Sequence, residues 1–358
     1  MTFDSGFGNP HKTTRREWLT RALATTALLP SALTTIARAQ NGEGITAAGP
    51  APARTTPRAG TWVVLLGTRG GPGIDPSRAQ TASAVVVDGR AYLVDCGYGT
   101  VRQLAASNVG YLQVSTIFFT HLHDDHTGDL PALLSFQWTN GKTTSTDAYG
   151  PYGTEQLIAA AVSFLHINAQ IRTADEGRTV NVDQQFHGHD VPARTEPVPA
   201  FKDDRLTVTA IENAHFPERS KAHMPYRSLA LRMQTRDRSI VFCGDTAYSP
   251  NVVKLARGAD LFVCEVMDLS VLERMRQLAR QAAAQGNENN IYRHVAETHS
   301  SPEDVGRMAS EAGVKTVVLN HQVPGPAGAL AYPVTAFIQG VRKGFGGEVI
   351  VGEDLMVL

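Results

Sequence analysis

His121-Leu122-His123-Asp124-Asp125-His126 is the stretch that decides the fold, and it directly follows the run Ser115-Thr116-Ile117-Phe118-Phe119-Thr120. That run is rich in β-branched and aromatic residues, which predicts a buried strand. The six residues after it therefore lie at the carboxyl end of a strand, where open α/β sheets build their sites. Three of the twelve histidines fall within these six positions, together with two carboxylates.

Imidazole and carboxylate groups together suit divalent ions such as zinc, manganese or iron. Alternate side chains of an extended segment share a face, so His121 and His123 can bind one ion. Asp125 and His126 point elsewhere, which favours a second ion nearby. The alternative interpretation is a polar turn whose histidines cap the next helix.

Three further strand-like runs are followed by a residue that can bind a metal ion. These residues are His215, Asp245 and His321. About a dozen strands and five or six helices are predicted, with strand groups in both halves of the chain. Convergence of several strand ends on one edge is what a site at the rim of a two-sheet core requires.

Other segments carry weaker signals. A helix is predicted over 153–167 and a hairpin at Asp88-Gly89, whereas residues 170–200 show no clear pattern. A polar loop is predicted before His299, and His294 within it is assigned a surface or structural role. The three cysteines lie in or beside apolar runs, which predicts free buried thiols, with a Cys243–Cys264 bridge as the alternative.

Size and charge limit the classes of function. The chain has 358 residues and 42% hydrophobic residues, enough for one large domain or two ordinary ones. Its formal net charge is −1 and its sequence pI is about 6.9. No basic field of the kind that nucleic-acid-binding proteins carry is present, so we expect a small-molecule substrate and no nucleic-acid partner.

The amino terminus resembles a twin-arginine export signal. Arg15-Arg16 precedes a modest apolar run from Ala22 to Ile36, and Ala37-Arg38-Ala39 offers a small-x-small cleavage pattern. We therefore expect a signal peptide over 1–39, a flexible linker over 40–60 and a hydrolase domain over 61–358, with periplasmic localisation. An amphipathic amino-terminal helix is the alternative. No later run reaches the roughly 18 apolar residues of a membrane span, so no membrane contact is expected after signal removal.

The order and spacing of His121-x-His123-x-Asp125-His126, His215, Asp245 and His321 resemble those of the metallo-β-lactamase fold superfamily. The resemblance implies an α/β fold, a four-layer αβ/βα sandwich with a two-metal site at one edge of the two sheets. It implies one ion on His121, His123 and His215, and a second on Asp125, His126 and His321. Asp245 is expected to bridge the ions and Asp95 to orient a ligand from beneath. Zinc is the expected metal, with manganese or iron as alternatives.

Within the superfamily, several local signatures resemble the ribonuclease Z and arylsulfatase branch. The signatures are Leu66-Gly67-Thr68, Asp95-Cys96-Gly97, Tyr149-Gly150-Pro151, Gly244-Asp245-Thr246, Glu265 and His299-Ser300-Ser301. The resemblance implies that Glu265 and His299 form a pair that helps to protonate the leaving oxygen. Two features depart from ribonuclease Z: no long Gly/Pro-rich arm lies between Gly150 and His215, and an export signal is expected.

The sequence thus favours an exported two-metal hydrolase of ester bonds, phosphodiester or aryl sulfate, acting through a metal-bridging hydroxide. The expected catalytic residues are Asp125, His299 and Glu265, and the expected contacts to an anionic substrate are Arg69, Tyr226 and Arg227. Hydrolysis of a lactone or β-lactam ring is the alternative. Ribonuclease Z-type RNA processing and a non-hydrolytic iron protein rank behind both, and a homodimer is left open.

Overall fold

The structure, a computed structural model, describes residues 59–288, 290–323 and 332–358. The signal peptide predicted over 1–39 lies outside the described residues, as does nearly all of the linker predicted over 40–60.

Fourteen strands are defined within the described residues. They are β1 Thr61–Gly67, β2 Ala82–Val87, β3 Arg90–Val94, β4 Val114–Phe118, β5 Thr146–Gly150, β6 Phe186–Asp190, β7 Val198–Lys202, β8 Thr207–Glu212, β9 Leu229–Gln234, β10 Ser239–Phe242, β11 Leu261–Met267, β12 Thr316–Val323, β13 Glu348–Val351 and β14 Met356–Val357. The helices of the same residues are α1 Thr100–Ala106, α2 Asp124–Thr127, α3 Leu130–Thr139, α4 Thr154–Glu176, α5 Glu218–Lys221, α6 Pro250–Ala256, α7 Leu269–Ala284, α8 Ile291–Thr298, α9 Pro302–Ala312 and α10 Val334–Arg342.

The strands form two seven-stranded mixed sheets with orders β14-β1-β2-β3-β4-β5-β6 and β13-β12-β11-β10-β9-β8-β7. In the first sheet β1, β2 and β3 are antiparallel, and β3 to β6 run parallel. The second sheet repeats this division, with β7 to β10 antiparallel and β10 to β13 parallel. Parallel neighbours end at the same edge of a sheet, so the segments after β4 and β5 reach one edge of the first sheet and those after β10, β11 and β12 reach one edge of the second.

Strand β1 shows why the chain forms layers. Val63 and Leu65 face the core between the two sheets, whereas Val64 and Leu66 pack against the helices outside. A strand buried on both faces needs an apolar residue at every position, which explains the unbroken apolar run.

The two outer layers are helical. Buried residues of α1, α3 and α4 pack on the first sheet, and those of α6, α9 and α10 pack on the second. The four-layer αβ/βα sandwich is therefore confirmed. No helix of the described residues is long and apolar enough to cross a membrane.

The structure differs from the sequence prediction in three places. Helix α4 continues to Glu176, where Gly177 ends it with a φ of 67°. Residues 170–200 contain β6 and β7, two edge strands whose half-exposed positions leave no apolar alternation to read. The polar loop predicted before His299 is wrong, because helix α8 begins at Ile291 with Asn290 as its amino-terminal cap.

Candidate metal centre

The first group of donors comes from two segments. His121 and His123 lie after β4, and His215 lies after β8 of the second sheet. His123 caps the one-turn helix α2. His121 Nε2 lies 3.0 Å from His123 Nδ1, and His215 Nε2 lies 3.2 Å from the same nitrogen. One ligand atom from each of the three residues falls within 4.8 Å of the others, close enough to share one ion.

The second group contains two carboxylates and two imidazoles, all buried: Asp125, His126, Asp245 and His321. His321 Nε2 lies 3.2 Å from Asp125 Oδ2 and 3.1 Å from Asp245 Oδ2. His126 Nε2 lies 3.3 Å from the other oxygen of Asp245. Asp245 Oδ2 is also 3.9 Å from His121 Nε2, so this carboxylate lies between the two groups.

Two buried atoms of the second group, His126 Nε2 and Asp245 Oδ1, form no hydrogen bond of good geometry with any described residue, although they lie 3.3 Å from each other. A buried polar atom without a partner costs about 1–3 kcal/mol, and native structures seldom leave several together. Nitrogen and carboxylate donors at this spacing are what divalent ions coordinate, so the residues fit two metal ions.

The two donor groups differ in protonation. Burial opposes protonation of His126 and His321 in the second group, but the two carboxylates of that group outweigh it and raise the pKa of both rings above the ordinary value, so a metal ion must displace a proton from each of them. Burial lowers the pKa of His121 and of His215 well below the ordinary value, which keeps both rings neutral. Burial opposes ionisation of Asp245, but His321 and His126 outweigh it and hold the pKa of this carboxyl well below its usual range. Neutral imidazoles and ionised carboxylates are the forms that bind a metal ion.

A bulge in β12 positions His321. Glu265 pairs with Asn320 and Val266 pairs with Gln322, so His321 is an extra residue in the strand, and its φ is 39°. Bulges turn side chains toward sites beside a sheet edge.

Asp95 lies beneath the second group. Its Oδ2 is 2.9 Å from His126 Nδ1, and its Oδ1 accepts the backbone N–H of Thr120 at 2.8 Å. The carboxylate therefore fixes the His126 ring with Nε2 facing Asp245, as carboxylates behind metal-binding histidines commonly do.

His299 forms a pair with Glu265 at the rim. His299 Nδ1 lies 2.7 Å from Glu265 Oε2, while Glu265 Oε1 accepts the backbone N–H of Thr246. Burial lowers the pKa of His299, but the Glu265 carboxylate outweighs it and raises the pKa above the ordinary value. With Nδ1 engaged, Nε2 is the nitrogen that can pass a proton to a substrate.

His294 was missed as a site residue. Helix α8 places its ring centroid 5.0 Å from that of His215 and 5.8 Å from that of His123. Burial lowers its pKa to about 4, so the ring is neutral. The available signal was Asn290, a good helix cap four residues earlier, which would have predicted a helix here.

The three expected substrate contacts occupy different settings. Arg69 Nε donates to Gly73 O in its own loop at 3.4 Å. Arg227 donates to the carbonyls of Met224 and Tyr226, both at 2.8 Å. Tyr226 itself is 41% exposed at the rim.

The glycine-rich loop after β1, residues 67–73, contacts two members of the second group. Gly71 N–H donates to Asp125 Oδ2 at 2.8 Å. A Cβ at Gly70 would lie only 2.4 Å from His321 Nδ1, so the backbone passes directly over this ring. Glycine is required at Gly70 for that close approach.

Comparison with known proteins relates the chain to one family. Residues 90–322 match the family described as the Beta-lactamase superfamily domain. The chain is 30% identical over 296 residues to Ribonuclease Z of Mycobacterium avium (strain 104), covering 82% of this chain and 96% of that protein. It is 32% identical over 267 residues to Ribonuclease Z of Mycobacterium sp. (strain KMS), covering 73% and 84%.

Solved structures share the fold at low identity. The metallo-beta-lactamase fold protein YhfI from Bacillus subtilis has a TM-score of 0.58 at 18% identity, covering 83% of this chain and 98% of that chain. The short form of human tRNase Z has a TM-score of 0.56 at 22% identity, covering 83% and 98%. Zn(2+)-bound PqqB from Methylobacterium extorquens has a TM-score of 0.55 at 15% identity, covering 83% and 99%.

These relatives overturn two predictions from the sequence. The ranking of small esters above RNA is wrong, and so is the expectation of no nucleic-acid partner, because curated relatives matched over nearly their whole length are named Ribonuclease Z. Both predictions rested on the net charge of the chain, on the missing Gly/Pro-rich arm and on the expected export signal. Net charge is an average over the whole surface, so it does not describe the one face that a substrate meets.

Proposed function

The chain belongs to the β-lactamase superfamily, and we propose that it is a metal-dependent ribonuclease that hydrolyses a phosphodiester bond of RNA. The observation that carries the proposal is the pair of donor groups joined by Asp245, with His299 held beside them by Glu265. The similarity to proteins named Ribonuclease Z supports RNA as the substrate class, and precursor tRNA is the first substrate to test.

We assign His121, His123 and His215 to one ion, and Asp125, His126 and His321 to the other, with Asp245 shared. Zinc is the metal we propose, since imidazole-rich sets of four donors suit it. Two such ions supply a water of lowered pKa and positive charge that neutralises the transition state.

The protein's own groups complete the reaction. His299 carries the proton that the departing oxygen needs, and its raised pKa keeps that proton available near neutral pH. Glu265 fixes the ring, and the backbone N–H of Thr246 fixes Glu265. Ser300 Oγ donates to Thr246 O at 2.6 Å, which holds the two segments together. These contacts therefore hold the His299 ring in one orientation toward the substrate.

The test is cleavage of precursor tRNA by the purified full chain loaded with zinc, with the cut mapped on a sequencing gel. We expect a single cut, loss of cleavage with a chelator and recovery on addition of zinc. His299→Ala should slow cleavage by about 100- to 10,000-fold at unchanged metal content. His187→Ala, at an exposed histidine on the edge strand β6, is the matched control and should cleave at the wild-type rate.

A second substrate separates proton transfer from structural damage. A nitrophenyl phosphodiester has a leaving group that needs no proton, so His299→Ala should hydrolyse it nearly as fast as wild type. Absence of RNA cleavage by protein that holds both ions would refute the proposal.

A further inference from the structure

Two tyrosines at the rim expose aromatic surface that the proposed chemistry does not use. Tyr152 is 54% exposed and Tyr226 is 41% exposed. Their ring centroids lie 6.0 Å apart with the ring planes tilted by 42°. Exposed aromatic rings grouped beside a catalytic centre are more informative than single exposed apolar residues, because they form a surface that another flat group can cover.

The backbone that carries each ring is held in place. Asp190 accepts the backbone N–H groups of Gly153 and Glu155, both at 3.1 Å, and thereby fixes the turn that carries Tyr152. On the other side, the guanidinium of Arg227 donates to the carbonyl of Tyr226 at 2.8 Å. The pair is therefore arranged before any ligand arrives, which lowers the entropic cost of binding.

Gly153 lets Tyr226 approach the turn that carries Tyr152. Its φ is +103°, and a Cβ there would lie 3.0 Å from a ring atom of Tyr226 and 3.1 Å from Leu122 Cδ1. Leu122 stands between two donor histidines in the chain, but its side chain points away from them and packs on the core between the first sheet and its outer helices.

The placement of the tyrosine pair follows instead from the strands. Strand β5, which precedes Tyr152, runs parallel beside β4. Leu229 N–H, three residues after Tyr226, donates to Thr120 O at 2.8 Å. The tyrosine pair therefore lies at the sheet edge that carries His121.

We propose that Tyr152 and Tyr226 form a stacking platform for one nucleobase of the RNA strand, beside the phosphate that is cleaved. The identity of the ligand rests on the proposed function, whereas the platform rests on the geometry of the two rings. Stacking on aromatic rings accepts every base, so the platform positions the strand without reading its sequence.

The contribution expected of such a platform is measurable. Stacking of one base on an aromatic side chain is worth about 1–3 kcal/mol, which is about 5- to 150-fold in affinity. Tyr152→Leu and Tyr226→Leu should each raise the KM for RNA within this range and change kcat for RNA much less. Tyr152→Phe and Tyr226→Phe keep the ring and should behave as wild type.

The experiment uses the zinc-loaded full chain and RNA oligonucleotides with phosphorothioate linkages, which slow cleavage during the measurement. One base at a time, on either side of the cleavage site, is replaced by 2-aminopurine, whose fluorescence is quenched by stacking. We expect quenching at one position with wild type and both Phe variants, and its loss in both Leu variants. Phe164→Leu removes a ring that is 68% exposed on α4 and serves as the matched control.

An abasic nucleotide at the quenched position should weaken binding to wild type by the same factor as the Leu substitutions. Equal quenching in wild type and the Leu variants, or no effect of the abasic nucleotide, overturns the platform. Cleavage of unmodified RNA is scored separately, so quenching without cleavage refutes the proposed function alone, and cleavage without position-specific quenching refutes the platform alone. An RNA that does not bind at all overturns both.

Discussion

Substitution of Gly70 by alanine should remove one metal ion and leave the other. The added Cβ would lie 2.4 Å from His321 Nδ1, 2.6 Å from Cε1 and 2.7 Å from the backbone oxygen of the same residue. Ordinary contact begins near 3.4 Å, so the ring and its backbone must move by about 1 Å. Coordination tolerates errors of about 0.2 Å, so His321 can no longer serve as a ligand. Disturbing even an outer partner of a ligand costs about 10- to 100-fold in metal affinity, and we expect at least 100-fold here.

The assay is the zinc content of the variant after dialysis against buffered free zinc, together with isothermal titration of the metal-free protein. Wild type should bind two ions per chain, whereas Gly70→Ala should bind one, on the group that contains His121. Gly73→Ala is the matched control, because its nearest neighbour is the mobile end of Arg69 at 3.3 Å. A Gly70→Ala variant that binds two ions with wild-type affinity would show that the loop does not brace His321.

Three more predictions follow from the described residues. Asp95→Ala frees the ring of His126, and titration should show the second ion bound about 10- to 100-fold more weakly; unchanged affinity would remove Asp95 from the support of the site. Lys315 forms an ion pair with Asp260 and lowers the pKa of that carboxyl from 3.8 to about 2. The Asp260 carboxylate therefore stabilises the fold above pH 4 and loses this effect as the pH falls toward 2. The pKa shift is worth at most about 2 kcal/mol of stability, and the Asp260 side chain is 29% exposed, which reduces it. We therefore expect Asp260→Asn to lower the free energy of unfolding in urea by about 1 kcal/mol at pH 7 and by about half of that at pH 3. An equal loss at both pH values would contradict the role of Asp260. The three cysteines are free and buried, so a thiol reagent should modify none in the native protein and three after denaturation, whereas a count of one would reveal a bridge between Cys243 and Cys264.

Much of the centre could be predicted from the sequence because its most informative part is local. His121, His123, Asp125 and His126 occupy six consecutive positions after an apolar strand, so covalent geometry alone keeps them together. The later donors follow strand-like runs, and strand ends at one sheet edge meet whatever the details of the packing. The two-sheet core could be predicted from the same pattern, and the four layers from the resemblance of these motifs to the metallo-β-lactamase fold superfamily.

Net charge led to a wrong prediction of the substrate, and the local residue pattern led to a wrong prediction for the segment before His299. A net charge averages over the whole surface, whereas a substrate meets only one face of a protein. The segment before His299 is polar, and only the cap at Asn290 and packing against the site make it a helix. His294 therefore lies beside the donors, although the composition of its segment did not indicate a site.

The sequence by itself determined the donor residues, the order of the strands that carry them and the layered core, since each depends on near neighbours along the chain or on apolar periodicity. Only the tertiary structure decided the bulge at His321, the loop of Gly70 pressed against its ring and the meeting of Tyr152 with Tyr226. These features join segments up to 251 positions apart in the numbering, from Gly70 to His321. Contacts of that range depend on sheet pairing and on close backbone approach, and no local pattern of residue types encodes them.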